Sequence, residues 1–237
     1  MLEKTKAVLE IKDLHAYYGE SHVLHGVNLS VHEGEVVTLL GRNGSGRSTT
    51  LKAIMGLVEN RKGSVVLDGQ ECIQLSPHQI AQIGIGFCPE ERGIFSSLSC
   101  EENLLLPPIL KSGGLSIEEI YTMFPNLSER RQSPGTRLSG GEQQMLAVAR
   151  IVRTGAKILL LDEISEGLAP VIVNALAQMI SSLRQKGFTI VMVEQNFRFA
   201  APLADRFYIM EHGEIIDTFS QSELSDKMGM LHEFLGV

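Results

Sequence analysis

The stretch VVTLLGRNGSGRSTT, residues 36–50, decides how the rest of the chain is read. A short apolar run, Val36 to Leu40, ends in a glycine-rich loop that leads into a helix-forming segment. A buried strand, a tight loop and a helix N-terminus in that order make an anion site. Gly41, Gly44 and Gly46 let the backbone bend so that successive N–H groups point inward, with Asn43 and Ser45 between them, and the helix opening near Ser48 and Thr49 adds its positive dipole end. The expected ligand is a nucleotide phosphate, with the Ser48 hydroxyl on Mg2+. One position departs from the phosphate-loop pattern, because Arg47 stands where the pattern has Lys. The charge survives, but a planar guanidinium is longer and bulkier than an ammonium, so nucleotide binding with slowed turnover is expected.

Outward from the loop, VLEIKDL (8–14) and HVLHGVNLSV (22–31) read as strands, with turns at Gly19 and at Gly34-Glu35. Downstream, a helix is expected over about Thr50–Leu57, then strands at SVVLDG (64–69) and IGIGFCP (83–89). From about residue 96 to 155 the pattern turns helical, in EENLLL, IEEIYTMF and Gly141–Val152. KILLLDE (157–163) is a short buried run suited to a central parallel strand; Ile172, Leu176, Met179, Ile180 and Leu183 recur at helical spacing, Gly187 ends that helix, and FTIVMVE (188–194) resumes the sheet. Strand, helix, strand implies a parallel α/β core.

Asp162 and Glu163 end the buried run KILLLDE, and in an open α/β sheet ligands bind at strand ends. Asp162 is expected to hold the Mg2+ shell and Glu163 to orient or deprotonate an attacking water. A second glycine-bearing helix start lies in LSGGEQQ (138–144). Ser139 and Glu142 fit a capping box, which leaves Gly140 and Gly141 unexplained; as poor helix formers they would let another phosphate approach the helix end.

With 43% hydrophobic residues, the 237-residue chain can bury a proper core. A net charge of -7 argues against nucleic acid or an anionic membrane surface as a partner. The start, MLEKTKAVLE, has scattered charges, and no run approaches the roughly 20 apolar residues of a membrane span. A cytoplasmic chain is expected, linked to a membrane only through a protein partner. Cys72, Cys88 and Cys100 lack metal-ligand spacing and read as reduced core or surface thiols.

The loop, LSGGEQQ and LLLDE, in this order and spacing, resemble the ATP-binding subunit of ABC transporters over essentially the whole chain. The resemblance implies a P-loop NTPase of the ABC-type ATPase fold: one domain over 1–237, a mixed or parallel sheet core with an N-terminal antiparallel β subdomain, and a helical subdomain. In that division, 1–95 and 156–237 form the nucleotide-binding lobe and 96–155 the helical signature lobe. It also implies ATP and Mg2+, a second ATPase subunit packed head to tail so that Ser139, Gly140, Gly141 and Glu142 contact ATP in the partner's loop, and transmembrane permease subunits that hold this chain on the inner face of the membrane.

By the same match, Tyr18 stacks on adenine, Glu90 replaces a Gln that touches Mg2+, and Gln195 replaces a His that reaches the γ-phosphate. Glu90 adds negative charge, and the Gln195 amide cannot carry an imidazolium charge. Ile164 replaces a common Pro, and Ser165–Leu168 faces the partner subunit. With Arg47, these departures imply a slow site or one dependent on its partner.

GRNG, GIFSSLSCEENL, EGLAPVIV, VEQN and the ending HEFLGV resemble the branched-chain amino acid importer branch, which works with a solute-binding protein and uses two different ATPase subunits. ATPases for urea, short amides or other small polar solutes are the alternative, as is a regulatory nucleotide-binding subunit. A soluble P-loop kinase has no use for LSGGEQQ, and the long coiled-coil insertion of a DNA-repair ABC ATPase is absent from the pattern.

Overall fold

The computed structural model describes residues 7–235, so the opening MLEKTK and the last two residues of HEFLGV lie outside it. β1 (Ala7–Tyr18) and β2 (Ser21–His32) form a long antiparallel hairpin. β3 (Val36–Leu40) carries the glycine loop, and α1 (Arg47–Ile54) follows it directly. Next come β4 (Asn60–Leu67), β5 (Gln70–Glu71), α2 (Pro77–Ile83) and β6 (Ile85–Cys88). The α-helices α3 (Cys100–Leu105), α4 (Ile117–Met123), α5 (Pro125–Glu129) and α6 (Gly140–Arg153) then run without a strand element between them. The chain returns to the sheet through β7 (Ile158–Asp162), α7 (Pro170–Gln185), β8 (Thr189–Val193), α8 (Phe197–Ala200), β9 (Arg206–Glu211) and β10 (Glu214–Ser220), and α9 (Leu224–Leu235) packs last.

The strands make two sheets. One is antiparallel, in the order β2-β1-β4-β5; the other runs β10-β9-β3-β8-β7-β6, parallel except for β10. β7 is buried along its whole length because each face meets a different core. Leu160 joins Leu9, Leu14, Leu51 and Ile54 between the sheets, whereas Leu159 and Leu161 join Leu146 and Val148 of α6 and Leu176 and Ile180 of α7. Alternate residues of a strand point to opposite faces, so an unbroken apolar run is what a doubly covered strand requires.

The sheet order positions the site. β8 lies between β3 and β7, so the ends carrying the glycine loop, Glu194 and the Asp162-Glu163 pair come together at one edge of the core. The first helix differs from its expected bounds: it opens at Arg47, where Gly46 enters at φ 104, and stops at Ile54, ahead of Gly56 at φ 76. The sequence pattern assigns no strand after Glu194; β9 docks on β3 and β10 on β9, and the aromatic and apolar side chains of RFYIME show no periodicity long enough to announce this.

The three cysteines are free and buried, and burial lifts the thiols of Cys88 to about 12 and Cys100 to about 11, which keeps them unreactive. Among the described residues, no helix is long and apolar enough to cross a membrane. Leu160→Ala, on the strand that both cores share, should cost about 2–5 kcal/mol of stability in urea denaturation.

Candidate active site

The glycines of the loop have different jobs. Gly44 and Gly46 sit at φ 81 and 104, where L side chains are strained, and they make the bend. Gly41 does not: a Cβ there would fall 2.4 Å from the Met210 carbonyl of β9, so glycine is needed for the close approach of the neighbouring strand. The loop forms one wall of a cleft of ≈ 370 Å³, lined by Asn43 to Thr49 and by Val23, Glu90, Glu163 and Glu166.

Arg47 lies beneath this cleft with its side chain only 4% exposed. Its Nη1 donates to the Glu194 carbonyl at 2.7 Å, and its Nη2 to Glu163 Oε1 at 2.9 Å and to Asn43 Oδ1 at 3.3 Å. The guanidinium therefore links the ends of β3, β8 and β7. Burial works against its charge, and Glu163 is the main group that restores it.

Asp162 is buried, and Ser48 Oγ donates to its Oδ1 at 2.8 Å. Burial raises its pKa and the Ser48 bond opposes the rise. Glu163 follows in a left-handed backbone conformation, φ 47, which turns its carboxyl out of the strand direction and onto Arg47. Burial first, and then a hydrogen bond that its protonated form donates to Glu166, push its pKa up to about 7. Ser48, Asp162 and Glu90 offer only hard oxygen donors, a set suited to Mg2+. Among the described residues no group of three or more His, Cys, Asp or Glu could hold a metal ion, and a site built from few protein oxygens plus substrate phosphates is the usual Mg2+ arrangement.

Not every residue expected at the site lines this cleft. Gln195 lies instead in an adjoining cavity of ≈ 300 Å³, together with Ser165, Glu194 and Asn196; Glu163 and Glu166 line both. Tyr18, 48% exposed at the end of β1, is absent from the cleft lining, where Val23 is the hairpin's contribution. Its neighbour Tyr17 is engaged, stacked on His22 with centroids 4.2 Å apart.

The signature caps α6 as a reciprocal box, with Ser139 N donating to Glu142 Oε2 at 2.7 Å and Glu142 N to Ser139 Oγ at 3.3 Å. Its glycines separate. A Cβ on Gly141 would meet Ile172 of α7 at 2.4 Å, so helix packing explains that residue, while Gly140 has only ordinary contacts, starting at 3.4 Å with Arg92. None of Ser139 to Glu142 lines either cavity.

Sequence reasoning missed Val23, Glu166 and Glu194. The signal for Glu194 was a carboxylate closing an otherwise apolar strand, and Glu166 lay within a segment assigned to the partner's side.

The ABC transporter family pattern matches residues 24–166, more than half of the chain. The chain belongs to the ABC transporter family. Among its relatives, the high-affinity branched-chain amino acid transport ATP-binding protein BraG of Pseudomonas aeruginosa is 39% identical, over 88% of this chain and 91% of that protein. The lipopolysaccharide export system ATP-binding protein LptB of Haemophilus influenzae is 32% identical, over 97% and 98% respectively. A dimeric ATP-binding cassette in a post-hydrolysis state, bound to ADP and Pi, superposes with a TM-score of 0.79 at 27% identity, covering 90% of this chain and 98% of that one. Within this ABC ATPase, Gly141→Ala should lose about 1–3 kcal/mol of stability by overpacking against Ile172. Gly140→Ala should stay within about 0.5 kcal/mol, and paired urea melts would tell the two apart.

Proposed function

We propose that this subunit binds and hydrolyses ATP to power an ABC importer of branched-chain amino acids, peripheral on the cytoplasmic face of the membrane through permease subunits. The observation that carries the catalytic reading is the convergence of the phosphate loop and the Arg47–Glu163 pair in one cleft, with buried Asp162 bonded to Ser48 of that loop. The likeness to BraG supports the solute, together with GRNG, EGLAPVIV and VEQN. The solute itself is recognised by the permease and a solute-binding protein, so the chemistry of this chain does not encode it. Urea and short amides remain the second reading.

In this reading the loop N–H groups and the start of α1 bind the β- and γ-phosphates, and Tyr18 offers its free ring face to adenine. Ser48, Asp162 and Glu90 would hold Mg2+, which when bound would supply charge neutralisation for the phosphoryl oxygens. Arg47 has to turn from Glu163 toward the γ-phosphate, exchanging one anion for another. Glu163, once released, orients the attacking water and accepts its proton. Breaking a buried pair on every turnover slows the cycle.

Gln195 donates from the adjoining cavity. Ser139, Gly140 and Glu142, which line neither cavity, serve the ATP of a second ATPase subunit, identical or different, and Gly141 brings their helix against α7. We divide the chain accordingly into a nucleotide lobe, 1–95 and 156–237, and a signature lobe, 96–155. The permease is assigned to the apolar groove of ≈ 420 Å³ lined by Leu57, Phe87, Pro89, Leu110 and Ile151, which starts beside Glu90.

Phosphate release by the assembled transporter tests the chemistry. Glu163→Gln should abolish it and Arg47→Lys should raise it. Equal release by wild type and Glu163→Gln favours a nucleotide sensor, and no gain from Arg47→Lys removes the case for a slowed loop. Disrupting the gene should abolish uptake of labelled leucine, isoleucine and valine; loss of urea uptake alone would transfer the assignment to the second reading.

A further inference from the structure

Glu194 has no part in the reaction as derived above, yet it is among the most enclosed charged groups in the described chain, 1% exposed directly after β8. Its carboxyl meets one residue, Ser165. Oε1 accepts from Ser165 N at 3.2 Å, and Oε2 lies 2.8 Å from Ser165 Oγ. Its main-chain carbonyl accepts from Arg47 at 2.7 Å, and its N–H donates to Leu39 O on β3 at 3.3 Å. One residue thus touches the strand that carries the phosphate loop, the guanidinium beneath that loop, and the turn two residues beyond Glu163; the next residue along the chain is Gln195.

We propose that Glu194 is a positioning residue for hydrolysis: its side chain clamps Ser165, and with it the turn that carries Glu163, while its carbonyl fixes Arg47. This rests on the catalytic reading of Glu163.

Burial, and not the clamp's own hydrogen bonds, favours the neutral acid. No cation pairs with the carboxyl itself among the described contacts. The charged groups around it are Glu163 and Glu166 on the clamped turn, Arg47 at the start of α1, which spends its donors on the carbonyl and on Glu163, and Asp162 on the neighbouring strand, paired in register with Val193. Burial, with repulsion from Glu163, lifts the Glu194 carboxyl to about 8. Ser165 donates to the carboxyl at two points, from its N–H and from Oγ, and these bonds oppose the rise without cancelling it. Ionised, it adds a further negative charge around a single buried guanidinium.

The sign of the pH effect follows. Below about pH 4.5 the carboxyl is neutral in both the folded and the unfolded chain. From there to about pH 8 only the unfolded chain has released the proton, so the contribution of Glu194 to stability is lost progressively, and above about pH 8 the loss levels off.

Glu194→Gln keeps one donor and one acceptor and does not titrate. Thermal melts of the full chain should therefore show a Glu194→Gln minus wild-type Tm difference that widens between about pH 4.5 and 8 and then flattens; a difference independent of pH would overturn the clamp. In phosphate release by the assembled transporter, Glu194→Ala should lower kcat by about 100-fold with KM for ATP within about twofold, the scale expected when a reacting group is misplaced by about 1 Å. Glu194→Gln should recover most of that loss at pH 7 and retain activity on the alkaline side where wild type declines. An alkaline limb shared by wild type and Glu194→Gln, or full activity in Glu194→Ala, would overturn the positioning role. Equal release by wild type and Glu163→Gln would instead overturn the catalytic reading on which the role rests, while the melts still decide the clamp.

Discussion

A guanidinium held out of water must be neutralised and hydrogen-bonded by whatever surrounds it, and Arg47 satisfies this through three neighbouring strand ends. Its contacts with Asn43, the Glu194 carbonyl and Glu163 tie the phosphate loop to the two strands beside it. Removing one member of such a pair leaves a buried charge alone, at a cost of about 3–5 kcal/mol. The same dependence opposes function, because the cation that should meet a γ-phosphate is already committed to the carboxylate that should prepare the water. On the proposed mechanism a nucleotide has to replace one partner of Arg47 with another. The slow turnover proposed above would then be a property of partner exchange and not of a missing charge.

The order of the strands makes that exchange possible. β8 is inserted between β3 and β7, so residues far apart in the chain end side by side. Doubly covered strands leave polar groups only at their ends, and the acids that close β7 and β8 collect there with the loop that closes β3. The carboxyls at these strand ends do not share one environment: Asp162 is engaged by Ser48, Glu163 by Arg47 and Glu166, and Glu194 by Ser165. Three acids within a few residues of one another in space can therefore take three tasks.

The glycines show how a motif can be read correctly for a partly wrong reason. Gly44 and Gly46 bend the loop as their positions suggest, but Gly41 is glycine because a strand absent from the sequence reading, β9, presses its Met210 carbonyl against it. In LSGGEQQ the capping box was legible from spacing alone, since both partners lie within one helical turn, whereas the reason for Gly141 lies on α7, some thirty residues away. Cys72, Cys88 and Cys100 were readable as free thiols, but their burial was not, because it depends on which face of each element turns inward.

Local pattern by itself determined the phosphate loop, the acidic strand end, the capped signature helix and the family, since each depends on residue types at short, defined spacings. The core strands β3, β7 and β8 were equally legible, as apolar runs bounded by turns. Only the tertiary structure decided that β9 and β10 complete the sheet, that Gln195 occupies a cavity beside the cleft, and that the signature residues line neither. It alone also placed Arg47 on Glu163 and Glu194 on Ser165. Those contacts join residues 116 and 29 positions apart, and no periodicity along a chain records which strand ends will become neighbours once the sheet is assembled.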